Sequence, residues 1–79
     1  MPYITKEKRI LVDHANVATD CGELNYLLTK FCLEYLERKG IKYQTFNDIL
    51  GALEGCKLEF YRRQVSSYEE QKIKINGDL

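Results

Sequence analysis

Thr45-Phe46-Asn47-Asp48-Ile49-Leu50-Gly51-Ala52-Leu53-Glu54-Gly55-Cys56-Lys57-Leu58-Glu59-Phe60-Tyr61-Arg62-Arg63-Gln64-Val65-Ser66-Ser67-Tyr68-Glu69-Glu70 contains no proline and holds a helical pattern throughout. Thr45 with Asp48 three residues on is a capping arrangement at its start. Its apolar residues form two stripes. Phe46, Ile49, Leu53, Cys56 and Phe60 repeat as a heptad seam, and Leu50, Leu58, Tyr61, Val65 and Tyr68 occupy a neighbouring face. A helix over 45–70 would be roughly 38 Å long at about 1.5 Å per residue. Gly51 and Gly55, four apart on one face, each cost about 1 kcal/mol relative to alanine. Close approach of another backbone along that face would offset the cost.

Upstream lies a second, shorter helix, over about 22–39. Asp20 and Glu23 form a capping box, and Leu24, Leu27, Leu28, Phe31, Cys32, Tyr35 and Leu36 keep three-and-four spacing. Arg38 and Lys39 complement the negative end of the helix dipole, and Gly40 stops the helix. Thr5 caps a first short helix over 6–15, with Ile10, Leu11 and Ala15 as a sparse apolar stripe. The tail, 71–79, alternates charged and apolar residues and reads as a flexible end unless a second subunit holds it.

These elements predict an all-α fold: a short N-terminal helix, then a helical hairpin with one long C-terminal helix. The shorter helix can shield only part of the longer one. The remaining apolar surface must meet the first helix, another copy of the chain or a partner, so a homo-oligomer is expected.

Composition narrows the function classes. At 79 residues the chain is one domain, near the size at which a single core is just sufficient. Twelve Lys and Arg balance twelve Asp and Glu, which argues against a general nucleic-acid binder. The apolar runs are too short for a transmembrane span, and the start lacks the apolar stretch of a signal peptide. A cytoplasmic protein is therefore expected. Cys21, Cys32 and Cys56 cannot all pair within the chain, and with His14 the only histidine they lack zinc-ligand spacing. Reduced thiols are the expectation, with no metal and no cofactor.

The densest polar constellation is Glu54, Lys57, Glu59, Arg62 and Arg63. Glu54 meets Lys57 at i+3, and Glu59 meets Arg62 and Arg63 at i+3 and i+4. These are spacings of ordinary helix-surface ion pairs, worth about 0.2–0.5 kcal/mol each. The same cations flank Leu58 and Tyr61, and guanidinium with tyrosine also suits a phosphate and a stacked base. Asn25 and Tyr26 add hydrogen-bonding groups near the positive end of the second helix. No phosphate loop, serine elbow or zinc signature is present. Glu34, Glu37, Glu54 and Glu59 are similar to the acidic sets of helical nucleotide pyrophosphohydrolases, but Glu54 and Glu59 do not face one point. The expectation is a protein that is not an enzyme.

The sequence resembles a family of small helical proteins encoded by tailed phages and prophages, one that brings no established activity. The resemblance rests on Met1-Pro2-Tyr3-Ile4-Thr5-Lys6, Gly22-Glu23-Leu24-Asn25-Tyr26 and Tyr43-Gln44-Thr45-Phe46-Asn47-Asp48. It continues through Gly51-Ala52-Leu53-Glu54, Lys57-Leu58-Glu59-Phe60-Tyr61-Arg62-Arg63, Tyr68-Glu69, Lys72 and Asn76-Gly77-Asp78. Over Arg9 to Cys21 relatives look longer and often carry a proline. After Arg63 they read Val-Val-Ala-Pro-Tyr where this chain has Gln64-Val65-Ser66-Ser67-Tyr68.

The resemblance implies an accessory factor in the host cytoplasm. One class of such factors consists of helical oligomers that sequester nucleotide second messengers of antiviral defence. The resulting expectation is a homo-oligomer that binds a phosphorylated, nucleotide-like ligand through Lys57, Tyr61, Arg62 and Arg63, helped by Asn25 and Tyr26. The alternative is a protein-interaction module that docks its long helix on a host or virion protein.

Overall fold

A computed structural model of the chain describes residues 4–79. Met1, Pro2 and Tyr3, which open the resembling stretch and begin the segment expected to lack a signal peptide, lie outside the described residues. The described residues contain helix and no strand. In order these are α1 (Lys6–Ala15), α2 (Cys21–Lys39), α3 (Tyr43–Phe60), a π-helical turn (Tyr61–Val65) and α4 (Ser66–Asn76). No helix is long and apolar enough to cross a membrane, among the described residues. The chain divides into two compact units, Met1–Thr45 and Phe46–Leu79.

In the first unit, local capping chemistry sets the helix ends. Thr5 accepts the Lys8 amide at 3.2 Å, satisfying one of the orphan donors of α1. Asn16 closes that helix in the left-handed region at φ 56°, its amide donating to the Val12 carbonyl at 2.7 Å. Asparagine tolerates this conformation better than other side chains. Asp20 accepts the Glu23 amide at 2.8 Å and starts α2. Gly40, at φ 91°, ends α2 by donating to the Leu36 carbonyl.

The polar contacts between α1 and α2 advance together along both helices. Lys8 meets Asp20 and Glu23, while Asp13 meets Tyr26 and Lys30. The segment 16–20 therefore runs back beside α1 before α2 sets out. Five extended residues span roughly 17 Å, which matches the roughly 15 Å length of a ten-residue helix. Among the described residues, Val12 and Leu27 are the buried apolar side chains of this unit, at 4% and 7% exposure.

Two expectations change here. Ile10 and Leu11 do not form the packing stripe of α1, because both are exposed and Val12 turns inward instead. The backward connection decides which face of α1 meets α2, and that face is the one bearing Lys8 and Val12. Of the apolar stripe of α2, Leu27 is buried, whereas Leu24, Leu28 and Phe31 remain substantially exposed.

The second unit is the long helix from Phe46 onward. Backbone angles stay helical through Phe60, Val65 and Ser66, so α3, the π turn and α4 form one continuous rod. Their eighteen, five and eleven residues make it roughly 50 Å long. The rod begins at Tyr43, before the expected start at Thr45. Thr45 lies inside the first turn, 3% exposed, and does not act as its cap.

The helix also runs through Gln71–Asn76, part of the stretch read as a flexible tail. Gly77 ends it at φ 85° with its amide on the Ile73 carbonyl, the same stop that Gly40 supplies. Lys72 sits 5.5 Å from the centre of the Tyr68 ring one turn earlier, a cation–π contact that supports this last segment. Within the π turn the Ser66 amide donates to the Tyr61 carbonyl, five residues back instead of four.

Candidate functional site

The cationic half of the long helix holds four of the six expected binding residues, and each is already engaged. Arg62 donates from Nη2 to Glu59 Oε1 at 2.7 Å, and Arg63 donates from Nε to the same oxygen. Two guanidinium groups thus converge on one carboxylate oxygen. Their hydrogen bonds, that of Arg63 foremost, hold the Glu59 carboxyl below its ordinary range. Lys57 Nζ lies 3.8 Å from Glu54 Oε1, an i,i+3 pair with both side chains mostly exposed. Tyr61 donates its hydroxyl to the Glu69 carboxylate, at 3.1 and 3.2 Å, reaching across the π turn. That hydrogen bond raises the Tyr61 phenol above its usual value.

The spacing-based ion pairs of Glu54 and Glu59 are therefore present as the sequence predicts. All are exposed, so solvent and salt screen them and each contributes little to stability. Arg62 and Arg63 are brought together on Glu59, whereas Lys57 and Tyr61 turn to other carboxylates. A shallow, mostly apolar concavity lined by Cys56, Glu59, Phe60, Arg63 and Gln64 lies on the rod beside the paired arginines.

Asn25 and Tyr26 belong to the first unit. Tyr26 donates its hydroxyl to both oxygens of Asp13, at 2.7 and 2.9 Å, and Lys30 adds a 3.0 Å contact to the same carboxylate. The Tyr26 hydrogen bond comes first among the causes that lower the Asp13 carboxyl, and Asp13 in turn raises the Tyr26 phenol. Tyr26 thus ties α1 to α2. Asn25 is exposed on the first turns of α2.

A second polar cluster was not anticipated from the sequence. Glu23, 4% exposed, accepts from Lys8 Nζ at 2.8 Å, from the Thr19 amide at 2.9 Å and from the Thr19 hydroxyl at 2.8 Å. These donors, Lys8 first, lower its carboxyl to about 2. Lys8 is raised by the same contact and by Asp20. The capping box was half of the signal. Its return arm reaches Thr19, one residue before the cap, and Lys8 from the other helix, which no local spacing announces. Lys8, Val12, Thr19 and Glu23 also line an open cleft with Leu11, Ala15 and Val17.

Cys21, Cys32 and Cys56 are free thiols. Among the described residues no group of three or more His, Cys, Asp and Glu side chains is placed to hold a metal ion.

The chain belongs to a family described as a domain of unknown function (DUF6899), whose model matches residues 1–79. Neither a curated protein nor a solved structure matches it.

Proposed function

We propose that this protein is a non-catalytic binding module that assembles as a homo-oligomer and uses its long helix as a protein-docking surface. The supporting observation is the second unit itself: from Phe46 to Leu79 no side chain is buried, while Phe46, Leu50, Leu53, Leu58, Phe60 and Tyr68 are exposed. A helix in water draws most of its stability from packing an apolar face. A rod of this length with its apolar face open therefore calls for a protein cover. An accessory role of this kind suits the phage-encoded proteins that the sequence resembles.

The test places a charge on the seam. Leu53→Lys is expected to abolish both self-association in light scattering and capture of protein partners by the tagged chain, with the circular dichroism of α1 and α2 retained. A variant that associates and captures as the wild type does refutes the reading.

One observation favours a second reading, in which the same half of the helix captures a phosphorylated, nucleotide-like ligand. Arg62 and Arg63 already converge on a single anionic oxygen, that of Glu59, as paired guanidiniums do on phosphate. Under this reading a phosphate displaces Glu59, a base stacks on Tyr61 or Phe60, and Tyr26 takes no part because Asp13 holds it. Glu59→Gln would then tighten binding by removing the internal competitor. Calorimetry against cyclic and linear nucleotides decides the matter: no heat with either the wild type or Glu59→Gln eliminates this ligand class.

A further inference from the structure

Tyr61 and Glu69 are joined across the π turn at a spacing that an α-helix does not put on one face. They are eight residues apart. At about 100° per residue, Glu69 in an uninterrupted α-helix would stand about 80° round from Tyr61 and about 12 Å further along. The Ser66 amide instead donates to the Tyr61 carbonyl and takes one extra residue into the turn. Glu69 then stands as if seven residues on, about 20° from the line of Tyr61 and about 10.5 Å along. There its carboxylate accepts the Tyr61 hydroxyl at 3.1 and 3.2 Å.

The other side-chain contacts of this stretch suit either register. Arg62 and Arg63 reach Glu59 three and four residues back, ordinary helical spacings. The Ser67 hydroxyl donates to the Arg63 carbonyl at 3.4 Å, four residues back, a bond that serines in α-helices make. Lys72 and Tyr68 both lie in α4 and move together. Among the described residues, Tyr61 with Glu69 is thus the pair that needs the π turn. No side chain of α4 is buried, so no packed core holds its rotation.

The α register offers Glu69 a different partner. There it stands seven residues beyond Arg62 and about 20° from its line. Two donors therefore compete for one carboxylate, Tyr61 in the π register and Arg62 in the α register. Glu59 holds Arg62 away from that competition at 2.7 Å.

We propose that the Tyr61–Glu69 hydrogen bond is a latch that keeps the long helix in its π register, and that opening it turns Ser66–Asn76 by about 100° about the helix axis. The rotation changes the surface that the rod offers. With the latch closed, Tyr68 and Ile75, 59% and 74% exposed, stand as if seven and fourteen residues beyond Phe60 and extend its apolar line. With the latch open they stand eight and fifteen residues on, about 80° and 60° off that line. A helix with two discrete registers is a bistable element, through which a small local change gains a large readout. The latch lies within one chain, so the inference stands apart from the docking reading.

Nuclear magnetic resonance of the full chain tests it through the scalar coupling that crosses a backbone hydrogen bond. In the wild type the Ser66 nitrogen should couple to the carbonyl carbon of Tyr61. Tyr61→Phe keeps the ring and the helix propensity and removes the hydroxyl, so the coupling should move to the Arg62 carbonyl. Glu69→Ala removes the other end of the same bond, outside the turn, and should move the coupling likewise. Tyr68→Phe should leave it in place. A second measurement is the distance between spin labels at Gly55→Cys and Ser67→Cys, with the three native cysteines replaced by alanine and the labelled chain diluted in unlabelled. The labels should lie roughly 17 Å apart in the π register and roughly 24 Å apart once Tyr61→Phe is added.

A Tyr61→Phe chain that keeps both the original coupling and the short distance overturns the latch. So does a wild type already bonded from Ser66 to Arg62, or a Glu69→Ala chain that stays in the π register. Variants that fray and show neither coupling overturn it as well, because the latch selects between two intact helices.

Discussion

Replacing Phe60 with alanine tests the docking seam at its centre. The ring is 60% exposed in one chain, so a covering partner removes roughly 120 Å² of it from water. Allowing for what the alanine methyl retains, the variant forfeits about 100 Å² of burial, or about 2.5 kcal/mol at 25 cal/mol per Å². A two-fold dimer loses this twice, about 5 kcal/mol, so its dissociation constant should rise by between three and four orders of magnitude, about 4,000-fold. Alanine is the better helix former, so the loss cannot be assigned to an unravelled rod. Sedimentation equilibrium over a dilution series gives the dissociation constant, and far-ultraviolet circular dichroism of the same samples reports helicity. If Phe60 stays in water, the change should fall within about 0.5 kcal/mol, as exposed substitutions usually do. A dissociation constant moved by less than tenfold would refute the reasoning.

Two further outcomes are expected. Glu23 has a folded-state carboxyl at about 2 against an ordinary 4.5, so its contribution is complete above about pH 4.5 and is lost as pH falls through 2. Thermal melts of Glu23→Gln should therefore be less stable than wild type near neutrality and lose less stability between those two pH values; parallel melting curves would contradict the burial of that carboxylate. At Gly51 and Gly55 an added Cβ meets nothing within 4 Å, so each alanine substitution should stabilise the helix by about 1 kcal/mol in urea unfolding. Destabilisation instead would mean that another backbone packs against the glycine face, the close approach their spacing predicts.

Much of this protein was legible because its signals are local. Thr5, Asp20 and Gly40 each terminate a helix through an atom within four residues, and α1 and the end of α2 fall where those caps put them. The pairs of Glu59 with Arg62 and Arg63 follow from helical spacing alone. So does the exposed seam, whose size depends only on which residues are apolar. Gly77 carried the same message as Gly40, but the alternation of charged and apolar residues before it masked the helix that it ends.

What spacing could not decide was set by where the chain turns back and by one backbone hydrogen bond. The return of residues 16–20 along α1 selects Val12 over Ile10 and Leu11 for burial and delivers Lys8 to Glu23 and Asp13 to Tyr26. These partners are thirteen or more residues apart, beyond any helical period. The π turn depends on the Ser66 amide choosing the Tyr61 carbonyl over its nearer neighbour, a difference of one residue that regular helical spacing does not encode. The sequence alone determined that a long apolar-faced helix exists and that its charges are paired along it. Tertiary structure decided the buried face of α1, and the backbone of the rod decided which face the residues beyond the π turn take, because both depend on positions in space that sequence periodicity does not carry.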